Sequence, residues 1–186
     1  FGLYSDVNNV NLVNSGAIDV NAIGGRTSSG ASGYADIEAY AISGAHDVNN
    51  AGTLTIAATG GVADADEYAI SDTEVYGVLA GTTVENSGDI TVGARGGTAD
   101  VNDGGIADAE AYGYGIGSYM ADVNNSGTIV VTASGGTAGG GEKADTDAHA
   151  LGIASTGTLT NSGSIAVTTT GGTADANDSA EAYAQT

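Results

Sequence analysis

The chain has 186 residues, 23 acidic side chains, three basic ones (Arg26, Arg95 and Lys143) and a formal charge of -20. That balance excludes nucleic acid and anionic membrane surfaces, which are held chiefly by Lys and Arg, and favours cationic partners. The absence of Cys excludes a disulfide framework, the periodic placement of the 41% hydrophobic residues excludes disorder, and no apolar run reaches the length of a membrane-spanning helix.

The 32 glycines follow no every-third-residue rule, so collagen is excluded too. The chain begins with Phe1 and carries no signal peptide, so a mature or excised segment is expected. So few basic residues leave trypsin-like proteases little to cut. This suits exposure outside the cell, and it is equally a plain consequence of an acidic composition.

In chain order, Tyr4 comes first, ten residues before Asn14, as Tyr40 lies ten before Asn50. Asn14 opens an Asn-(Ser/Ala)-Gly triplet that returns at Asn50, Asn86, Asn125 and Asn161. A Gly-Gly pair follows each triplet, at 24–25, 60–61, 96–97, 135–136 and 171–172. Both series are spaced by 36, 36, 39 and 36 residues, the signature of a repeat architecture. Residues 1–186 therefore read as one domain of five repeats, anchored at Asn14–Gly25, Asn50–Gly61, Asn86–Gly97, Asn125–Gly136 and Asn161–Gly172.

Between triplet and Gly-Gly, apolar residues alternate with polar or small ones. Ile18, Val20 and Ala22 return as Leu54, Ile56 and Ala58, as Ile90, Val92 and Ala94, and as Ile129, Val131 and Ala133. Period two with β-branched residues predicts half-buried strands, and no segment keeps a helical period with caps. Asn and Gly tolerate positive φ, which a sharp corner is expected to need. Stacked repeats would also stack Asn14, Asn50, Asn86, Asn125 and Asn161, giving a side-chain ladder; the alternative is that these residues only form turns.

After Gly-Gly comes a second strand that points acids and Tyr one way and small residues the other. It carries Asp36-Glu38-Tyr40, Asp72-Glu74-Tyr76 and Asp108-Glu110-Tyr112, then Asp147-His149-Leu151, and last Glu181 and Tyr183. The small face, with Ile37, Ala39, Thr73, Val75, Ala109, Ala111, Ala148 and Ala150, is the expected interior. A short further strand holds Ile42, Val78 and Ile153 in register. The three extra residues of the third repeat are expected near Gly113-Tyr114-Gly115, as a surface bulge or loop.

Parallel stacking of such units gives an all-β parallel β-solenoid without helices. The two halves of the repeat are unlike, so one wide coil per repeat is favoured over two of 18. Five coils would rise only roughly 24 Å. The phrase Asp122-Val123-Asn124-Asn125-Ser126-Gly127-Thr128-Ile129-Val130-Val131-Thr132-Ala133-Ser134-Gly135-Gly136, with Ala111-Tyr112-Gly113 before it, resembles the repeats of haemagglutinin-like and autotransporter-passenger β-solenoids of bacterial surfaces. That resemblance spans the chain and implies an extracellular, cell-surface setting. It is specific for architecture, because such repeats serve as stalks, adhesins and fibres alike.

Stacking would align Asp36, Asp72, Asp108 and Asp147 in one column and Glu38, Glu74 and Glu110 in another. Like charges about 5 Å apart repel by roughly 1 kcal/mol in water. Bound Ca²⁺ would relieve this; the alternative is a solvated acidic face that keeps fibres apart. Asp100, Asn102, Asp103, Asp175, Asn177 and Asp178 add oxygen-rich loops, and none matches a known calcium-loop spacing. Tyr40, Tyr76 and Tyr112 are expected to form a structural tyrosine ladder. His46 and His149 fall in different parts of the repeat, and no serine nucleophile elbow is present. The carboxylates are periodic, where a catalytic site would break the repeat, so no enzyme is expected and no catalytic residue is assigned.

Two functions follow. One is a structural subunit or segment of an extracellular bacterial surface fibre. It would stack head to tail with copies of itself through open solenoid ends, or continue as part of a longer solenoid chain. The other is an adhesin stalk or passenger module that binds a surface or a glycan through Gly113–Tyr119 or Gly139–Lys143.

Overall fold

The computed structural model describes residues 1–5, 10–44, 46–102, 104–118 and 122–186. The alternation read from the sequence produces parallel sheets, and among the described residues there is no helix. Each repeat closes one wide coil. The second coil runs Val48–Asn50, Thr53–Thr59, Val62–Ala65 and Tyr68–Ala80. Stacked coils turn these four segments into a corner sheet, an aliphatic sheet, a short sheet and a long sheet, all paired in parallel.

The short sheet, Arg26–Ser29, Val62–Ala65, Thr98–Val101, Thr137–Gly139 and Thr173–Asp175, was read from sequence as loop. Its inward residues are mainly alanines, such as Ala63, Ala99 and Ala138, which carry little strand propensity, so the pattern is quiet. Asp100 and Asp175 thus sit in strands. Asn102, Asn177 and Asp178 lie in the turns that follow, and Asp103 lies outside the described residues.

The long sheet runs back across the aliphatic and short sheets, so the coil is flattened around two cores. The larger packs Leu54, Ile56, Val75, Val78, Ile90, Ile116 and Ile129 between the long, aliphatic and corner sheets. The thinner is built of Ala63, Ala65, Ala69, Ala99, Ala107 and Ala109 with Val101. A fully buried Ile, Leu or Val contributes about 1.5–3 kcal/mol and an Ala far less, so the first core carries most of the hydrophobic stabilisation.

The Gly-Gly corners form the waist between the cores. A Cβ on Gly60 would fall 2.6 Å from Thr73 Oγ1, and one on Gly97 2.3 Å from Ser71 Oγ and 2.0 Å from the Gly61 carbonyl. Ser71 donates a hydrogen bond to that carbonyl at 3.1 Å. Positive φ occurs among the described glycines at Gly104 (66°) and Gly140 (89°), both in turns after the short strand. Where coils meet, the Gly-Gly glycines are therefore required by close approach, whereas Gly25 and Gly171 have room for a Cβ, and the expected left-handed corner is corrected.

The asparagine ladder is present. Asn14 Nδ2 donates to Asn50 Oδ1 at 2.8 Å, Asn50 to Asn86 at 2.7 Å, Asn86 to Asn125 at 2.6 Å and Asn125 to Asn161 at 2.7 Å. The second N–H of each amide reaches the carbonyl of the Gly two residues on: Gly16, Gly52, Gly88, Gly127 and Gly163, at 3.2–3.4 Å. An interior rung thus uses both its donors and its acceptor without water. Replacing Asn86 by Ala strips Asn50 of its acceptor, Asn125 of its donor and Gly88 of a partner. A loss of about 2 kcal/mol or more is expected in denaturant unfolding. The same change at the exposed Asn161 is expected to cost under half as much.

Candidate functional site

The outer face of the long sheet carries the acids and tyrosines, and its register decides which of them meet. Between the first two coils the offset is 36, so Glu38 pairs with Glu74 and Tyr40 with Tyr76. Between the second and third it is 38. Ile70 faces Asp108, Asp72 faces Glu110, Glu74 faces Tyr112 and Tyr76 faces Tyr114. Val101 still lies 36 residues after its partner Ala65, whereas Ile106 lies 38 after Tyr68, so two extra residues enter in the turn between Val101 and Ile106. The third enters between Ser118 and Asp122, where the offset rises to 39.

The expected bulge at Gly113-Tyr114-Gly115 is therefore corrected, because these residues lie inside the strand Ile106–Ser118. One proposed adhesin contact, Gly113–Tyr119, is strand as far as Ser118, and Tyr119 lies outside the described residues. Of Gly139–Lys143, residues 140–142 form the turn between the strands that Gly139 ends and Lys143 begins. A slip of two residues keeps the same side chains facing in, which is why the core tolerates it.

The slip redraws the columns. Asp36 and Asp72 continue into Glu110 and Asp147, and Asp108 lies in line with Ile70 and Asp145. Glu38 and Glu74 continue into Tyr112 and His149, so the expected Asp36-Asp72-Asp108-Asp147 and Glu38-Glu74-Glu110 columns are broken at the third coil. Glu181 and Tyr183 sit against Asp145 and Asp147, four residues before His149 and Leu151, where they were expected.

The aromatic ladder is corrected likewise. Phe1 stacks on Tyr40 at 5.0 Å, Tyr40 on Tyr76 at 5.1 Å and Tyr76 on Tyr114 at 4.6 Å, while Tyr112 stacks on His149 at 5.0 Å. Tyr4 pairs with Ser43, so Phe1 takes the place expected for Tyr4. Tyr114 and Asp145 are the members of this face that sequence reasoning missed. Ile116, which pairs with both Val78 and Ile153, was the signal that would have found them.

Four tyrosine hydroxyls on this face donate to the carboxylate two residues earlier on the same strand. Tyr40 holds Glu38, Tyr76 holds Glu74 and Tyr112 holds Glu110, and Tyr183 holds Glu181 at 2.7 Å. Burial and the hydrogen bond to Glu110 raise the Tyr112 hydroxyl well above its ordinary pKa. Lys143 pairs with Asp145, and His149 lies 3.8 Å from Asp147. The inner Oδ1 atoms of Asp72, Asp108, Asp145 and Asp147 are buried without a hydrogen bond. Desolvation, then the charges of Glu110, Asp36 and Glu74, push Asp72 up to about 6. Desolvation, then Glu110, Asp72, Asp145 and Asp147, push Asp108 up to about 7.

Among the described residues, no three His, Asp or Glu side chains converge in a geometry that could hold a metal ion. Asp36, Glu38, Asp72, Glu74, Asp108, Glu110 and Asp147 are spread along the face as columns. No protein-family model, curated protein or solved structure matches the chain.

The raised carboxyls set a pH dependence. Below about pH 4 Asp72 and Asp108 are protonated in both folded and unfolded chains. From there to about pH 7 the fold keeps protons that the unfolded chain releases, so stability falls as pH rises through 6 and 7. Asp108→Asn mimics the protonated form. It is expected to raise Tm at pH 8 by roughly 2–4 °C, a value discounted for solvent screening, and to leave Tm at pH 4 unchanged. Thermal melts at the two pH values check this.

Proposed function

We propose that the chain is a structural unit of an extracellular bacterial surface fibre, its solenoid continued end to end by further copies or by more of a longer chain. The observation that carries this reading is the parallel stack itself: five like coils pair in register through the same four sheets, and each corner asparagine bonds to its copy in the next coil. The strand edges and ladder amide of one coil therefore fit those of any like coil, in the same chain or in another copy. A contact that does not close on itself builds a filament. The resemblance to surface β-solenoid repeats supports the setting. The stacked carboxylates favour cations as the companion species, with Ca²⁺ the one to test.

Electron microscopy of the purified chain, with Ca²⁺ and with a chelator, tests the reading. Long unbranched filaments are expected, and their loss in chelator would assign the acidic face to cation binding. Dispersed short rods in both conditions would overturn self-stacking and favour the adhesin-stalk reading.

A further inference from the structure

The face opposite the acidic one carries a different feature. The Gly-Gly corners leave a groove of about 500 Å³ along the solenoid axis, on the outer side of the waist. Thr59, Arg95 and Ser134 follow one another in register along one wall, and Thr98, Thr137 and Thr173 along the other. The floor is glycine backbone. No Asp or Glu lines the groove, in a chain with 23 of them. Of the three basic side chains, Arg26 pairs with Asp64 and Lys143 with Asp145. Among the described residues Arg95 has no acidic partner, and it stands in the groove wall.

We propose that this groove binds a glycan carrying a single carboxylated sugar, with Arg95 holding the carboxylate. A guanidinium offers a carboxylate two parallel N–H donors. Two rows of hydroxyls suit the hydroxyl groups of neighbouring sugars, and the groove has the size of a small-ligand site. One cation in a chain of charge -20 matches one anionic group and repels a polyanion. The site does not depend on end-to-end stacking.

The test is an NMR titration of the folded chain with 3′-sialyllactose and with a glucuronic-acid-terminated disaccharide, against neutral lactose. At least one acidic probe is expected to shift the amides of Gly96, Gly97, Gly135 and Gly136. Its binding is expected to weaken about tenfold or more in Arg95→Gln, the size of a lost charged hydrogen bond. Arg26→Gln removes the same charge outside the groove and is expected to bind as the parent does. No shift with either acidic probe would overturn the proposal. So would lactose binding as tightly, or an equal loss in Arg26→Gln.

Discussion

Neighbouring coils stack in parallel, so every outward or inward side chain lies about 4.8 Å from its counterpart in the next coil. A residue type is therefore tested against its own kind along the whole stack. Asparagine passes, because its amide is both donor and acceptor and bonds to a copy of itself, as in the chain from Asn14 to Asn161. Tyrosine passes, because flat rings stack, as Tyr40, Tyr76 and Tyr114 do. Carboxylates do not, and at Asp72 and Asp108 burial, with the neighbouring negative charges adding to it, keeps the protons on to unusually high pH.

The same constraint explains the glycines. Where two coils and two sheets meet at the waist there is no space for a Cβ, and Ser71 and Thr73 on the long strand fill what remains. The waist separates an aliphatic core, which supplies most of the burial energy, from an alanine core that depends on close packing. It also separates the two outer faces chemically. The long sheet presents charge and rings, and the Gly-Gly side presents hydroxyls, bare backbone and Arg95, which among the described residues has no acidic partner. The solenoid therefore carries two chemically unlike faces along its length.

Repetition made the strands, the corners and the asparagine ladder legible before any coordinates, because each signal occurs five times. The third coil misled for a physical reason. Asp108-Ala109-Glu110-Ala111-Tyr112 looks like Asp72-Thr73-Glu74-Val75-Tyr76, yet in register it sits two residues earlier, with Asp108 facing Ile70. A two-residue slip leaves the buried face unchanged, so hydrophobic pattern alone does not detect it. The buried Ile116 does, because its column of Ile42, Val78 and Ile153 is continuous only with the slip. The alanine-lined short sheet was quiet because alanine marks no preference for strand. The groove at Arg95 was illegible because it needs the waist, which only packing creates.

The most direct test of the account is hydrogen exchange at the asparagine side chains, read by NMR on the ¹⁵N-labelled chain. The Nδ2 protons of Asn50, Asn86 and Asn125 are each bonded to the next rung and to a backbone carbonyl. The account predicts that they exchange as slowly as the amides of the central strands, and far more slowly than those of the exposed Asn161. Side-chain amides that all exchange at the rate of solvent-exposed ones would contradict the ladder and the in-register stack built on it.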